Sequence, residues 1–248
     1  MIVFSDFDNT LYTHDNTSFE RNLKSIQEFR EKGNKFCIAT GRNRASLERI
    51  WPDCEEYLDY SILDNGAVCL DRQGKELFRE MMPPKIVEAI IQMVKEQYGD
   101  EEVQVVFYYD TKEWQEPGLN MTKLRCWAKN RATSESICNA VNTAYGSHLR
   151  SFVARVAMMT SLAWIKDPEQ YNSFVDIVPM DAGKHNAVRR LSELYPSEQV
   201  VTIGDDTNDL EMIREFNGYA MRDSMPEVLE TVDQYHIVES VADLLERL

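Results

Sequence analysis

Two short stretches of this chain bring carboxylates together at a spacing that could hold a metal ion and attack an electrophile. Asp6-Phe7-Asp8 puts two carboxyl groups within one turn, and Gly204-Asp205-Asp206-Thr207-Asn208-Asp209 puts three in another. Thr40-Gly41-Arg42 adds a hydroxyl and a guanidinium. Each group directly follows an apolar run of the kind that forms a buried parallel strand: Ile2–Ser5, Lys35–Ala39 and Val200–Ile203. In an open α/β sheet, ligands bind beyond the carboxyl ends of the strands. Carboxylates gathered there repel one another and raise one another's pKa, a cost that a hard cation relieves. Oxygen ligands without histidine or thiolate point to Mg²⁺ rather than zinc. Taken singly, each stretch has a plainer reading: DxD and Thr-Gly-Arg occur in ordinary turns, and GDDTND could cap a helix. Their shared placement after three buried-type strands favours a common site.

The elements that must position these residues follow from hydrophobic period and punctuation. After Ile2–Ser5, a capping box at Thr17-Ser18-Phe19-Glu20 opens a helix with apolar positions at Phe19, Leu23, Ile26 and Phe29, and Gly33 stops it. Strand 35–39, a short helix through Leu47 and Ile50, strand 60–63 and a hairpin over 67–79 complete an alternating α/β opening. From Pro83-Pro84 the rhythm changes. The pattern predicts a helix closed by Gly99, strands over 103–109 and 122–127, a helix over 134–145, and strands near 151–158, 162–165 and 174–178. After Pro179 the α/β rhythm resumes, with helices over 184–194 and 208–216 and short strands at 219–221 and 235–238. The organisation expected is a discontinuous core, residues 1–81 and 180–248, with an inserted α+β domain over 82–179.

Composition narrows the function. A formal net charge of −15 argues against nucleic acid or an anionic membrane as partner. The five cysteines form no CxxC pair, which reads as packed, reduced thiols. The N-terminus meets acid at Asp6 without a basic leader, and no apolar run approaches membrane-spanning length, so a cytoplasmic protein is the expectation.

The motifs resemble those of the haloacid dehalogenase (HAD) superfamily. Asp6-Phe7-Asp8-Asn9-Thr10 matches motif I, DxDx(T/V); Thr40 in Ala-Thr-Gly-Arg matches motif II; Lys184 stands where motif III expects its lysine; and residues 204–209 match motif IV, GDxxND. The insertion between motifs II and III resembles the C2-type cap of the Cof-type (IIB) branch, which includes sugar-phosphate phosphatases. Asn65-Gly66-Ala67 matches a short turn of that branch. The resemblance implies a Rossmann-like core with a parallel sheet, and a cap that selects the substrate. Asn9 stands where many relatives have Gly, and Asn tolerates the backbone angles that position needs.

Carried over residue by residue, the resemblance makes Asp6 the nucleophile and Asp8 the general acid/base of a phosphate monoester hydrolase. Mg²⁺ would be held by Asp6, the Asp8 carbonyl and Asp205, with Asp209 joining through water or as an outer anchor. Thr40, through hydroxyl and backbone N–H, and Lys184 would bind the phosphoryl oxygens beside Gly41, and Asn208 would orient Lys184 or the phosphoryl group. Arg42 is either a phosphate contact or a structural ion pair, Asn65 either touches substrate or shapes its turn, and His185 reads as structural. In the insertion, Lys112, Lys123, Arg125, Lys129, Arg131, Arg150, Arg155 and Lys166 are candidate contacts to a second polar group, most of them expected to face solvent. Trp114, Trp127 and Trp164 either stack on a substrate ring or pack in a core. The substrate expected is a small phosphorylated metabolite, hexose phosphate first, with pyridoxal phosphate, a nucleotide or a phosphorylated polyol as alternatives and oligomeric state unread. The rivals are a phosphomannomutase-type phosphomutase and a non-catalytic phosphoaspartate sensor.

Overall fold

The computed structural model describes residues 1–13, 16–110, 112–154 and 170–248. The chain begins β1 (Ile2–Ser5), α1 (Asn16–Glu31), β2 (Lys35–Ala39), α2 (Arg44–Ile50), α3 (Cys54–Tyr57), β3 (Tyr60–Leu63), β4 (Val68–Asp71) and β5 (Glu76–Arg79). It continues with α4 (Pro84–Tyr98), β6 (Val103–Tyr109), β7 (Lys112–Trp114), β8 (Lys123–Ala128), α5 (Arg131–Tyr145), β9 (Leu149–Ala154) and β10 (Ser173–Pro179). It closes with α6 (Lys184–Ser192), β11 (Val200–Gly204), α7 (Leu210–Glu215), β12 (Tyr219–Met221), α8 (Pro226–Leu229), β13 (Ile237–Val238) and α9 (Val241–Arg247). Two compact units emerge. One comprises Met1–Arg42, Leu47–Phe78 and Gly183–Leu248, the other Asn43–Ser46 and Arg79–Ala182. The expected strand over 162–165, the far end of that over 151–158, and Arg155, Trp164 and Lys166 lie outside the described residues.

The first unit is built on an eight-stranded sheet in the order β13-β12-β11-β1-β2-β3-β4-β5. The strands from β13 to β3 are parallel, and β4 returns antiparallel to β3. Side chains alternate across a strand, so a strand buried on both faces is apolar at nearly every position. On β1, Val3 joins one cluster while Ile2 and Phe4 join another; on β2, Phe36 and Ile38 oppose Cys37 and Ala39. Ile26 and Phe29 of α1 and Val241, Leu244 and Leu245 of α9 cover the first face; Ala187, Val188 and Leu191 of α6 and Met212 of α7 cover the second. Register then fixes the site. Ser5 pairs with Ile203 on one side and Ile38 on the other. The residues that follow, Asp6, Asp205 and Thr40, therefore leave three adjacent strands at one edge.

The second unit has a five-stranded sheet, β7-β6-β8-β10-β9, antiparallel throughout. Apolar residues of α4 (Val87, Ile90, Val94) and α5 (Ile137, Val141) pack on Phe107, Leu124, Cys126, Val175 and Ile177. The alternate positions carry Tyr108, Lys123, Arg125, Trp127, Phe174 and Asp176 on the other face. Lys123 and Arg125 are exceptions to the expectation that most of these cations face solvent: Lys123 is fully buried and lies over the Tyr108 ring at 3.9 Å. The Arg125 fork grips Asp176 at 2.6 and 2.7 Å. Trp127 is buried against Phe174, whereas Trp114 is partly exposed and stacks on Tyr109.

Some boundaries differ from the sequence pattern for local reasons. Strand β7, three residues long, is too short to show a period. The helix expected from Asn208 begins at Leu210 after a 3₁₀ turn over Thr207–Asp209. The strand expected over 235–238 keeps only Ile237–Val238, because the Asp233 carboxylate accepts from the Tyr235 and His236 N–H groups and winds 234–236 into a 3₁₀ turn. Asn9 adopts φ +58°, the conformation its side chain was expected to tolerate. Asp64, Asn65 and Gly66 are left-handed in succession, with φ of 49°, 56° and 97°. A Cβ on Gly66 would lie 2.3 Å from the Gly183 carbonyl oxygen. Gly66→Ala therefore combines backbone strain with a backbone clash, and is expected to cost about 2–3 kcal/mol in urea or thermal unfolding.

Candidate active site

Lys184 is the first residue of α6, buried, and its ammonium donates to Asp6 Oδ1 at 2.6 Å and to Asp209 Oδ1 at 2.7 Å. A cation in the first turn of a helix opposes the macrodipole, so the two carboxylates rather than the helix hold it there. Asp209 is anchored on its other side as well, where Oδ2 accepts the N–H groups of Asp205 and Asp206, each at 3.2 Å. That approach needs Gly204, since a Cβ there would lie 2.4 Å from the Asp209 carboxyl carbon. Asp206 completes the turn by accepting from the Thr207 N–H, in a capping box with Asp209.

Asp6, Asp205 and Asp209 each present a carboxylate oxygen, all within 4.8 Å of one another. Asp205 is steadied by the buried Thr10 hydroxyl, which donates to its Oδ1 at 3.0 Å. Thr10 was not among the residues the sequence reading singled out for the site, although its place in motif I was the available signal. Burial pushes the Asp6 carboxyl well above the usual range, the Lys184 ammonium pulls it back, and Asp209, Asp205 and Asp8 push it up further. Asp205 is pushed up to about 7, by burial first and the Asp209 charge second. Burial also raises Asp209 against the pull of Lys184. For Lys184, burial alone would lower the pKa, but the Asp209 and Asp6 carboxylates hold it above the ordinary lysine value. Three buried acids thus face one buried ammonium. Their excess negative charge and all-oxygen donor set fit a hard divalent cation.

Asp8 is held differently. Arg42 Nε donates to its Oδ2 at 2.8 Å and Nη2 to its Oδ1 at 2.7 Å, a two-point ion pair. The hydroxyl oxygen of Thr40 accepts the Arg42 N–H at 3.1 Å. The Thr40 backbone N–H, expected at the phosphoryl group, instead donates to the Ile62 carbonyl at 2.9 Å. This is a correction with a simple cause: the residue still belongs to the sheet ladder, and only its side chain reaches past the strand end. The Asn65 N–H donates to the Thr40 carbonyl, tying the 64–66 turn to the Thr40-Gly41-Arg42 loop. The Asn208 amide donates to Asn65 Oδ1 at 3.2 Å, which joins that turn to the Thr207–Asp209 turn. His185 lies 2.9 Å from the Glu211 carboxylate, off this cluster.

With this geometry in view, residues 3–243 match the family of haloacid dehalogenase-like hydrolases. The chain belongs to that family. YxeH of Bacillus subtilis is 25% identical to this hydrolase, over 94% of this chain and 91% of the relative. The 5-amino-6-(5-phospho-D-ribitylamino)uracil phosphatase YitU of Bacillus subtilis is 24% identical, over 88% of this chain and 84% of its own length. Among solved structures, the HAD subclass IIB sugar phosphatase BT4131 shares the fold with a TM-score of 0.71 and 17% identity, covering 98% of this chain and 94% of its own. Family and relatives together support the expected enzyme class, a phosphatase, and the Cof-type (IIB) resemblance. Among the described residues, no helix of this hydrolase is long and apolar enough to cross a membrane.

Two outcomes follow from the buried charges. Lys184→Met would leave Asp6 and Asp209 buried without their shared cation and is expected to lower stability by about 3–5 kcal/mol near pH 8. At pH 5, where the acids take up protons, the loss should be smaller; denaturant melts at the two pH values check this. For Asp205 the folded value, about 7, lies above the ordinary 3.8, so the folded state holds its proton more tightly than the unfolded chain. That contribution is complete below about pH 4 and is lost as pH rises to about 7. In EDTA, the melting temperature of the unsubstituted protein should therefore fall relative to that of Asp205→Asn across this window.

Proposed function

We propose that this hydrolase is a Mg²⁺-dependent phosphatase that cleaves small phosphate monoesters through an aspartyl phosphate on Asp6. The observation that carries the reading is the convergence of Asp6, Asp205 and Asp209 on one point, with Lys184 hydrogen-bonded to Asp6 and with Asp8 two residues further on. Asp6, Asp205 and the Asp8 carbonyl would hold Mg²⁺, with Asp209 behind them, because the hydrogen bonds from Lys184, Asp205 and Asp206 already engage both Asp209 oxygens. When bound, Mg²⁺ supplies positive charge that neutralises the gathered carboxylates and the phosphoryl oxygens.

An Asp6 oxygen attacks phosphorus while the bond from phosphorus to the ester oxygen breaks, and Asp8 gives its proton to the departing alkoxide. In the second half, the Asp8 carboxylate takes a proton from water as the water oxygen attacks phosphorus. The Asp6–phosphorus bond breaks, Asp6 is released as a carboxylate, and ester plus water have become alcohol plus phosphate. Lys184 and the Thr40 hydroxyl bind phosphoryl oxygens, where charge spreads in the transition state. Arg42 and Gly41 border the same edge, and Asn65 and Asn208 brace it through their mutual hydrogen bond.

Residues 82–179 are read as the inserted cap that selects the substrate, on the core formed by 1–81 and 180–248. The substrate class favoured is a sugar phosphate or similar hydroxyl-rich monoester. Support comes from two relatives whose names specify sugar phosphatase and a phosphoribityl substrate. Such a substrate and the formal net charge of −15 fit a cytoplasmic enzyme with no nucleic-acid partner. The test is phosphate release from a panel of monoesters with Mg²⁺. Asp6→Asn and EDTA treatment should each lower turnover at least about 10³-fold. Absence of release from every ester by folded, Mg²⁺-loaded protein would overturn the reading, as would undiminished turnover in Asp6→Asn.

A further inference from the structure

Arg42 is fixed at both its backbone and its side chain. Its N–H donates to Thr40 Oγ1, its carbonyl accepts the Asp64 N–H at 2.9 Å, and its guanidinium lies 5.7 Å from the centre of the Phe7 ring. From that anchored position two of its nitrogens each engage a separate oxygen of Asp8, the parallel fork that only arginine offers a carboxylate. The Asp8 side chain is not one of the three carboxylates that share the 4.8 Å cluster. The guanidinium, rather than the buried ammonium, thus determines where this carboxyl points.

We propose that Arg42 is the positioning residue for Asp8, an inference that rests on the reading of Asp8 as acid/base. In the phosphoryl-transfer step one Asp8 oxygen carries the proton that passes to the leaving ester oxygen. In the hydrolytic step the same oxygen receives a proton from water. Both transfers happen at one point beside phosphorus, so the carboxyl must present an oxygen there twice without drifting. Arg42 serves as the pivot: it keeps one oxygen while the other turns from the fork toward the reacting atoms. A lysine would supply the charge but not the fork, so it could not hold one oxygen in plane while freeing the second.

The test uses the leaving group. Nitrophenolate departs readily without a proton, whereas a sugar alkoxide does not, so a defect in proton donation shows selectively on the sugar ester. We would measure kcat/KM with Mg²⁺ for 4-nitrophenyl phosphate and glucose 6-phosphate. The variants would be Arg42→Ala, Arg42→Lys and Asp8→Asn, with the Arg42→Ala/Asp8→Asn pair. Arg42→Ala is expected to lower kcat/KM roughly 10²-fold for the sugar ester and under about 10-fold for the aryl ester. Lysine should restore little, and the Arg42 substitution should add almost nothing once Asp8 is Asn. Equal losses on both esters with recovery by lysine would overturn the proposal in favour of a phosphate contact, and an undiminished Arg42 effect in the Asp8→Asn background would overturn it too. Should Asp8→Asn by itself hit both esters alike, the acid reading of Asp8 falls and this proposal falls with it. A selective Asp8→Asn loss beside an unselective Arg42→Ala loss overturns the proposal alone. Thermal melts report folding, and Arg42→Gln, of similar length, replaces Arg42→Ala if that variant does not fold.

Discussion

A buried ammonium shared by two buried carboxylates is the contact on which the first unit's functional edge depends. Lys184 reaches Asp6 at the end of β1 and Asp209 beyond the end of β11, so one side chain ties together strands far apart in the chain. The arrangement is unfavourable in isolation, because a cation stands at the positive end of α6 and three ionisable groups leave water. Several otherwise odd local features serve it. Gly66 lies against the Gly183 backbone at the start of α6, and Gly204 leaves room for the Asp209 carboxylate to reach two backbone N–H groups. A side chain on Gly204 would meet the Asp209 carboxylate, and one on Gly66 would meet the Gly183 backbone next to Lys184.

The carboxylates of the site are chemically alike as amino acids and unlike in place. Asp209 is saturated by an ammonium and two peptide donors, which makes it an anchor. Asp205 takes a threonine hydroxyl and is pushed up to about 7 by burial. Asp6 shares its ammonium with Asp209. Asp8, partly exposed, is gripped by a guanidinium. Environments that separate otherwise identical acids are what the proposed mechanism requires, since it gives the parts of nucleophile, acid/base, ligand and anchor to four aspartates.

The second unit has its own core and its own buried charge. Its sheet packs apolar residues on α4 and α5 and turns Lys123, Arg125 and Asp176 to the opposite face. Buried ion pairs are a weak source of stability compared with well-packed apolar groups of the same volume. Their presence on a face that also carries Tyr108, Trp127 and Phe174 separates this unit's polar side from its structural side.

The alternation of buried strands and punctuated helices fixed the α/β class, and the placement of DxD, TGR and GDDTND after apolar runs brought their side chains to one edge of the sheet. Those are local signals: a period of two, a capping residue, an acid at a strand end. Motif order added Lys184, which as a lone lysine beside a helix start reads as solvated. Which partner each charged group takes was not legible, because that depends on contacts between residues 34 to 195 positions apart, such as Arg42 with Asp8 and Thr10 with Asp205. The loss of the Thr40 N–H to the ladder and the burial of Lys123 likewise follow from neighbouring strands. Sequence specified which functional groups reach the edge of the sheet. Strand order and register decided which of them touch, since hydrogen bonds and ion pairs act over a few ångströms and only the folded chain sets those distances.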